Sequence, residues 1–355
     1  FSLSLLVALP ISGGKGVAGH VAQTGQTVRI EDIHNDPRFY EEIDRKLGHT
    51  THGYICAPLV LKDKVTGTVQ VMNRTDGKAF SRDDELLMTG FAVQAAMVIQ
   101  NAQMHEMNLQ QRAMESEMSL CREIQFNLFP RQLPNFPGYE LFGTSEPSRE
   151  VGGDYYTFIP RPDGTMDAVV ADVSGKGISA ALIVADFHTG YHLLAPLEYP
   201  LDMMCEKLNH HLLDSLVMGR YVTAFTARLS PRSGDIDYVV AGHPPPIVVR
   251  ADGSIEEFGR TGPVLGVLKG LMKKGQATLN KGDLVVAFSD GYPEVSNGQV
   301  LDGDGTEDMY GEARMKDIIS RYREAPLHEI FERLNEDVNR YREEVPLPDY
   351  MTLLM

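Results

Sequence analysis

The sequence predicts a two-domain protein of mixed α/β and α+β class, in which one long helix joins the domains. The chain has 355 residues, which is more than a single domain usually contains. Short β-like segments near both ends of the chain are separated by glycine- and proline-containing turns. Between them, residues 81–130 keep a helical pattern that no glycine interrupts after Gly90 and no proline before Pro130.

The composition of the chain argues against several classes of function. The formal net charge of −16 argues against general binding to nucleic acid or anionic membranes, and it fits a protein that concentrates cations. No apolar run reaches the roughly 18–20 residues of a membrane span. The three cysteines, Cys56, Cys121 and Cys205, have no paired spacing. We therefore expect a reduced, cytoplasmic location with no membrane span and no nucleic-acid partner.

Residues 1–100 form the first predicted domain, with strands at 27–30, 55–61 and 65–72. The segments GKGVAGHVAQTG, NDPRF, APL and GTVQVMNR follow one another in this region. With these segments the region resembles the C-terminal two-thirds of a GAF domain, an α/β sensor module that binds small ligands or dimerises. The resemblance implies a sensor domain over residues 1–100, which need not be complete at its start.

Five residues of this domain match a signature of cyclic-nucleotide-binding GAF domains, namely Asn73, Arg74, Phe80, Asp84 and Glu85. Arg74 stands in place of the usual lysine. The resemblance makes the five residues candidates for binding a ligand such as a cyclic nucleotide. The same signature also occurs as a structural ion pair in GAF domains without a nucleotide, and such pairs often only orient elements. The structural interpretation is favoured, and both stay open.

The long helix is predicted to begin after Ser81, an N-cap followed by acidic residues that complement the helix dipole. Its roughly 40 uninterrupted residues, about 60 Å of helix, exceed what a globular domain needs. Residues near heptad spacing are Met107, Met114, Met118, Cys121 and Leu128. We predict a parallel coiled coil over residues 101–130 that makes the protein a homodimer. A helix lying on its own domain is the alternative.

Four aspartates of the C-terminal half lie at the ends of β-like segments. Asp154 follows Gly152-Gly153, and Asp172 ends the run Ala-Val-Val-Ala. Asp290 ends a second apolar run, and Asp349 precedes a third. Each alone is explained by turn chemistry, because aspartate is common in turns. Four converging carboxylates would repel one another unless a hard cation such as Mg²⁺ or Mn²⁺ were bound, and the pattern leaves convergence open.

The C-terminal half carries several motifs in order: EVGGDYY, VADVSGKGISAAL, TAFTARL, YVVAGHPPPIVV, GPVLGV, GDLVVAFSDGYPEVSN, YGEARM and DYMTLL. With them, residues 120–355 resemble the metal-dependent protein phosphatase (PPM) superfamily, and most closely its bacterial sporulation and stress-response branch. The resemblance implies an αββα sandwich over residues 131–355 with a metal centre at one end. It also implies a protein serine/threonine phosphatase acting on an anti-sigma-factor antagonist.

The resemblance further implies a site for two Mn²⁺ or Mg²⁺ ions. Asp172 would bridge the ions, Asp154 would hold the second, and Asp290 and Asp349 would hold the first. The main-chain carbonyl of Val173 would complete the set. A water activated by the ions would attack phosphorus without a phosphoenzyme. Asp154 and Asp172 are therefore the catalytic candidates.

Two positions depart from the family pattern. Thr157 stands where a second acid is usual. Tyr350 replaces the usual acid or amide after Asp349, and its bulk is expected to alter the rim of the site. Arg149 is a candidate phosphate-binding arginine or, equally, a surface residue. His243 is predicted to be structural, because the proline run after it fixes the backbone.

Other functions stay open. The main alternative is a catalytically weak or inactive phosphatase-fold protein that only binds partners. A second alternative is a phosphatase that acts on small phosphate esters. Ser174 and Lys176 flank Asp172, but neither has an evident base or phosphate partner in the sequence, so neither is assigned a role.

Overall fold

The computed structural model describes residues 16–39, 50–146, 151–217, 219–231, 233–270, 272–300, 307–347 and 349–355. Arg149 and the first residues of the GKGVAGHVAQTG motif lie outside these ranges. The chain divides into two compact units, Phe1–Met114 and Glu115–Met355.

The first unit is built on a small antiparallel sheet. Its elements are α1 (Gly16–Thr24), β1 (Val28–Ile30), a 3₁₀ turn (Ile33–Asn35), β2 (Tyr54–Leu61) and β3 (Lys64–Met72), with strand order β1-β2-β3. Alternate residues of β2 face opposite sides, as a strand requires. Tyr54 and Cys56 pack in one apolar cluster, and Ile55 and Ala57 in another.

Helix α2 (Arg82–Phe126) runs for 45 residues, and the boundary between the units falls within it. Its start is capped as predicted: Ser81 Oγ accepts the Asp84 N–H at 3.2 Å, and Asp84 Oδ2 accepts the Ser81 N–H at 2.7 Å. Many of its large apolar side chains are exposed, among them Met97, Met107 and Met114. None of the described helices is both long and apolar enough to cross a membrane.

The helix ends earlier than its pattern predicts, and the reason lies in the residues before Pro130. The residue before a proline disfavours helical geometry. Leu128 and Phe129 leave the helix and pack against the apolar core of the second unit. The prediction that Leu128 continues the heptad seam was therefore wrong, because this side chain is occupied in that core.

The second unit contains two five-stranded sheets within the described ranges. The strands are β4 (Gly143–Glu146), β5 (Asp154–Pro160), β6 (Met166–Val173), β7 (Val222–Leu229), β8 (Asp235–Ala241), β9 (Ile247–Val249), β10 (Ile255–Glu257), β11 (Gly275–Thr278), β12 (Leu284–Phe288), β13 (Ser296–Val300), β14 (Glu307–Met309) and β15 (Met351–Leu354). One sheet has the order β11-β8-β7-β6-β5 and the other β10-β9-β12-β15-β4, while β13 and β14 pair separately. The helices are α3 (Ile178–Leu194), α4 (Leu201–Ser215), α5 (Gly311–Tyr322) and α6 (Leu327–Arg342).

Three apolar clusters hold the second unit together. One contains side chains of both sheets, such as Phe158 of β5 and Leu354 of β15. Another joins Tyr155 of β5 with Phe187 of α3 and further residues of α4. A third joins β12 and β15 with α5 and α6, for example through Ile319. The sheets therefore meet each other through one cluster and meet helices through the other two.

Candidate metal centre

Strands β5 and β6 bring the first two aspartates together. Their antiparallel register places Asp154 directly opposite Asp172. Next to this pair, the Val173 N–H donates to the Gly153 carbonyl at 3.0 Å. A Cβ atom at Gly153 would lie 2.4 Å from the Val173 oxygen and 3.1 Å from Asp172 Oδ1. Only glycine therefore lets the two strand ends approach this closely.

The second sheet supplies the other two aspartates from neighbouring strands. Strands β12 and β15 pair antiparallel. The Ser289 N–H continues the pairing by donating to the Thr352 carbonyl at 3.0 Å, and the Thr352 N–H donates to Ser289 Oγ at 3.0 Å. Asp290 follows Ser289, and Asp349 precedes β15, so the two aspartates emerge at the same end of the strand pair.

Asp154 is the most buried of the four carboxylates, with 1% of its surface exposed. Burial raises the pKa of Asp154 well above its ordinary value, and the negative charge of Asp172 raises it further. Hydrogen bonding with the side chains of Ser289 and Thr352 opposes this rise. Asp154 Oδ2 is buried and has no hydrogen-bond partner among the described residues. Asp154 thus couples the two sheets and keeps one carboxylate oxygen unsatisfied.

The remaining carboxylates share this electrostatic environment. Burial, followed by the charges of Asp290 and Asp349, raises the pKa of Asp172 to about 7. The pKa of Asp290 is raised by burial and by Asp349, while the positive charge of Lys176 lowers it. Glu294 also has a raised pKa, because of burial and the charges of Asp290 and Asp349. The pKa values of Asp172, Asp290 and Glu294 are therefore each raised by neighbouring carboxylates.

The four aspartates Asp154, Asp172, Asp290 and Asp349 are called the acidic corner below. Two charged residues at the acidic corner had no role assigned from the sequence. Glu294 lies one turn after Asp290, since its N–H donates to the Asp290 carbonyl at 3.0 Å. Lys176 Nζ lies 2.9 Å from Asp349 Oδ2. The signals were an acid four residues after Asp290 and a lysine enclosed by two glycines after Asp172. Neither signal says which distant carboxylate the side chain meets.

The donor set suits a hard divalent cation. Within the described ranges, no three histidine, cysteine, aspartate or glutamate side chains already stand close enough to hold a metal. The chemistry nevertheless fits, since Mg²⁺ and Mn²⁺ prefer carboxylate and carbonyl oxygens. The unsatisfied oxygen of Asp154 is what a bound cation would satisfy, because buried polar atoms ordinarily have partners.

In the first unit, the signature residues bind other parts of the protein. Asn73 has a positive φ of 55°; its Nδ2 donates to the Thr50 carbonyl at 2.8 Å, and its Oδ1 accepts the His52 N–H at 2.7 Å. Arg74 Nη1 lies 2.5 Å from Asp84 Oδ2, the same oxygen that caps α2. These contacts join the end of β3 to the start of the helix.

Phe80 and Glu85 complete this structural set. Phe80 is buried in an apolar cluster with residues of β2 and α2. Arg29 connects the two residues: its Nη1 donates to the Phe80 carbonyl at 2.8 Å, and its Nε lies 3.3 Å from Glu85 Oε2. All five signature residues therefore have partners within the protein, which favours the structural interpretation of the signature.

Two family models match the chain. The GAF domain model matches residues 3–99, and the Stage II sporulation protein E (SpoIIE) model matches residues 162–355, more than half of the 355 residues. This protein belongs to the SpoIIE family. Both resemblances drawn from the motifs are thereby confirmed: a GAF domain is followed by a phosphatase domain of the sporulation and stress-response branch.

Relatives agree with this assignment. Phosphoserine phosphatase RsbU of Bacillus subtilis (strain 168) is 27% identical over 186 residues, which are 52% of this chain and 55% of RsbU. A probable 3′,5′-cyclic phosphodiesterase of Caenorhabditis elegans is 38% identical over 92 residues, 26% of this chain and 12% of that protein. The chain thus spans about half of RsbU and a small part of the phosphodiesterase.

The fold of the SpoIIE-family unit also has a solved counterpart. The SiaA-PP2C domain of Pseudomonas aeruginosa matches with a TM-score of 0.60 at 20% sequence identity. The match covers 69% of this chain and 97% of that domain. At this identity the likeness supports the PP2C fold and no more.

The two family departures occupy different places in the SpoIIE-family unit. Thr157 lies within β5 opposite Val169 and is buried. Tyr350 is 2% exposed, and a Cβ atom at Gly152 would lie 2.4 Å from its ring. The expectation that Tyr350 shapes the rim was wrong, because its ring packs inside against the glycine pair before Asp154.

Gly152 also contacts the last turn of α2. Gln125 Nε2 donates to the Gly152 carbonyl at 2.7 Å, and Gln125 Oε1 accepts the Gly152 N–H at 3.2 Å. Gln125 is only 4% exposed, so both bonds are buried. The end of the helix is thereby bonded to the glycine pair that directly precedes Asp154.

His243 has the contacts of a structural residue. Its side chain is completely buried, and its Nδ1 lies 2.9 Å from the Thr223 hydroxyl. Burial lowers the pKa of His243 to about 3, so the ring is neutral at neutral pH. A neutral, enclosed imidazole fits the predicted structural role.

Proposed function

We propose that this protein is a metal-dependent protein serine/threonine phosphatase regulated by its GAF domain. The observation that carries the proposal is the pair Asp154–Asp172, of which Asp154 is buried, and which shares its electrostatic environment with Asp290 and Asp349 at the ends of two sheets. Carboxylates whose pKa is raised by burial and by neighbouring acids are typical of functional sites rather than of turns. Membership of the SpoIIE family and the likeness to phosphoserine phosphatase RsbU support the same reaction.

The proposed ligands divide between two Mn²⁺ or Mg²⁺ ions. Asp172, Asp154, Asp290 and Asp349 would hold these ions, and the Val173 carbonyl would add a main-chain oxygen. Such ions supply Lewis-acid chemistry, which acidifies a water and neutralises phosphoryl oxygens. The contribution of the protein is to hold these four carboxylates and one main-chain carbonyl near one another. Strand pairing and the close approach at Gly153 achieve this.

Hydrolysis by water needs no phosphoenzyme. The buried thiols agree with this, because burial raises the pKa of Cys56 to about 11 and that of Cys205 to about 12. Neither thiol forms the thiolate that nucleophilic catalysis requires at neutral pH. The proposed substrate is a phosphorylated protein, an anti-sigma-factor antagonist, dephosphorylated at serine or threonine.

The proposed organisation follows the sequence. Residues 1–100 form the sensor domain, 101–130 the coiled-coil linker, and 131–355 the phosphatase domain, an αββα sandwich. Exposed apolar side chains along α2 support a homodimer joined by this helix. The proposed input is a small ligand of the GAF domain, such as a cyclic nucleotide, and the proposed location is the cytoplasm.

Phosphate release tests the function. Wild type, Asp172→Asn and Asp237→Asn are assayed on an aryl phosphate and a phosphoserine peptide with Mn²⁺, with and without EDTA. Asp237 is the control, because it is an ion-paired aspartate on β8, outside the acidic corner. We expect chelator-sensitive turnover that only Asp172→Asn abolishes. Full activity in Asp172→Asn would refute the site.

A folded wild type without turnover would favour the alternative, a catalytically weak or inactive binding protein. The observation on its side is Tyr350, which replaces a usual acid or amide of the family. Deleting residues 1–118 and repeating the assay separates an enzyme inhibited by its sensor domain from a protein without activity. Turnover that appears after the deletion supports the enzyme.

A further inference from the structure

The acidic corner contains a cation supplied by the chain itself. Lys176 Nζ lies 2.9 Å from Asp349 Oδ2, and the two side chains are 43% and 31% exposed. The influence of this ammonium group extends further, because it counteracts the rise in pKa of both Asp290 and Glu294. Lys176 therefore faces the same group of carboxylates that is proposed to hold the divalent ions.

The loop that carries Lys176 is held firmly. The Ser174 N–H donates to the Tyr221 carbonyl at 2.9 Å, and Ser174 Oγ accepts the Tyr221 N–H at 2.9 Å. Arg220 Nη1 donates to the Ser174 carbonyl at 2.6 Å. Gly175 has a φ of +96°, and a Cβ atom there would lie 1.5 Å from Arg220 Nη1. The backbone before Lys176 is thus fixed, whereas its four-carbon side chain keeps its flexibility.

We propose that Lys176 is a built-in counter-cation of the metal centre: its ammonium group pairs with Asp349 in the metal-free protein, and a divalent ion has to displace it. The proposal rests on the proposed metal site. Carboxylates that share a site repel one another unless a positive charge is present. A single ammonium group reduces that repulsion without satisfying every carboxylate, since the buried oxygen of Asp154 stays without a partner among the described residues. Lys176 thereby stabilises the metal-free fold and weakens metal binding.

Calorimetric titration with Mn²⁺ of the full-length, chelator-treated protein tests this directly. Replacing the ammonium group in Lys176→Met removes the competitor, so we expect the Kd for Mn²⁺ to fall about fivefold, the upper range for a partly exposed ion pair. In EDTA, the same variant should melt about 2 °C lower, because the carboxylates lose their counter-charge. Lys176→Arg keeps the charge and should resemble wild type in both measurements.

A matched control is available in the same unit. Lys274 Nζ lies 2.8 Å from Asp237 Oδ2, and these side chains are 35% and 30% exposed, so the pair resembles Lys176–Asp349 but lies outside the acidic corner. Lys274→Met should leave the Mn²⁺ affinity unchanged. Unchanged or weaker Mn²⁺ binding by Lys176→Met overturns the counter-cation. If wild type binds no Mn²⁺ at all, the metal site itself fails together with this inference.

Discussion

Two groups of charged residues, one in each unit, looked alike as sequence motifs and have opposite electrostatics. At the start of α2, hydrogen bonds from Ser81, together with Arg74, lower the pKa of Asp84. At the ends of β5 and β6, burial and neighbouring carboxylates raise the pKa of Asp154 and Asp172. The first group is neutralised by its own chain and is partly exposed, whereas the second contains a fully buried carboxylate and more acids than bases.

The difference separates a structural from a functional use of aspartate. An acid that already accepts main-chain N–H groups and faces an arginine has nothing left to bind, and its role ends with orienting a helix. A buried acid with an unsatisfied oxygen lowers the stability of the fold. Such a residue is tolerated where a bound ligand offsets that loss of stability. Because the pKa shifts of the two groups have opposite signs, replacing an aspartate by asparagine should change the melting temperature in opposite directions in the two groups.

Asp154→Asn should give the largest effect. It removes a proposed ligand, and we expect Mn²⁺-dependent phosphate release to fall at least about 100-fold. The same change removes a buried acid whose ionisation is disfavoured by burial and by Asp172, so the melting temperature in EDTA should rise by about 2–4 °C. Asp84→Asn should do the reverse: phosphate release persists while the melting temperature falls. A lower melting temperature in EDTA for both variants contradicts the proposed contrast.

Gln125→Ala should have the next largest effect, since it removes two buried hydrogen bonds to Gly152. Leaving the main-chain groups of Gly152 unsatisfied should lower the free energy of unfolding by about 1–3 kcal/mol. Because Gly152 lies two residues before Asp154, the Kd for Mn²⁺ should also rise. Urea unfolding and calorimetry measure the two quantities. Gln110→Ala, at an exposed position of the same helix, is the control and should change neither.

The sequence predicted best what depends on neighbouring residues. Asp154 and Asp172 meet because β5 and β6 follow one another in the chain and pair antiparallel. The cap at Ser81 is equally local. Helices α5 and α6, by contrast, were not predicted.

The contacts that the sequence could not predict are those between residues that lie far apart in the chain. Asp349 reaches the corner through β15, which pairs with β4 across 207 residues of chain, as the bond between Ser145 and Thr352 shows. The roles of Gln125 and Lys176 depend equally on such contacts. Their residue types, an amide in a helix and a lysine between glycines, are common on surfaces. Only tertiary packing brings them to Gly152 and Asp349.

A smaller effect is expected from His243, whose pKa is lowered by burial, whereas the pKa values of Asp154 and Asp172 are raised. Its pKa of about 3 in the folded protein lies below the ordinary value of 6.5. The unfolded chain therefore binds the proton more readily, and stability that is complete above pH 6.5 is lost as the pH falls towards 3. At pH 5.5 the loss should be about 1.4 kcal/mol. Urea unfolding at pH 7.5 and 5.5 should show a smaller loss for His243→Asn than for wild type, and equal losses would contradict the assignment.

The smallest effect is expected in the GAF domain, where Arg74→Met tests whether the signature only orients elements. Arg74 and Asp84 are both about a third exposed, and such ion pairs contribute little. The variant should melt about 1 °C lower, with the Kd for Mn²⁺ unchanged. Titration of wild type with cyclic AMP and cyclic GMP should then decide how the domain is used. Binding that Arg74→Met abolishes would contradict the structural role, because it would make Arg74 a ligand contact. Binding that survives the substitution places the ligand elsewhere in the domain, and flat traces with both nucleotides exclude them as the input signal.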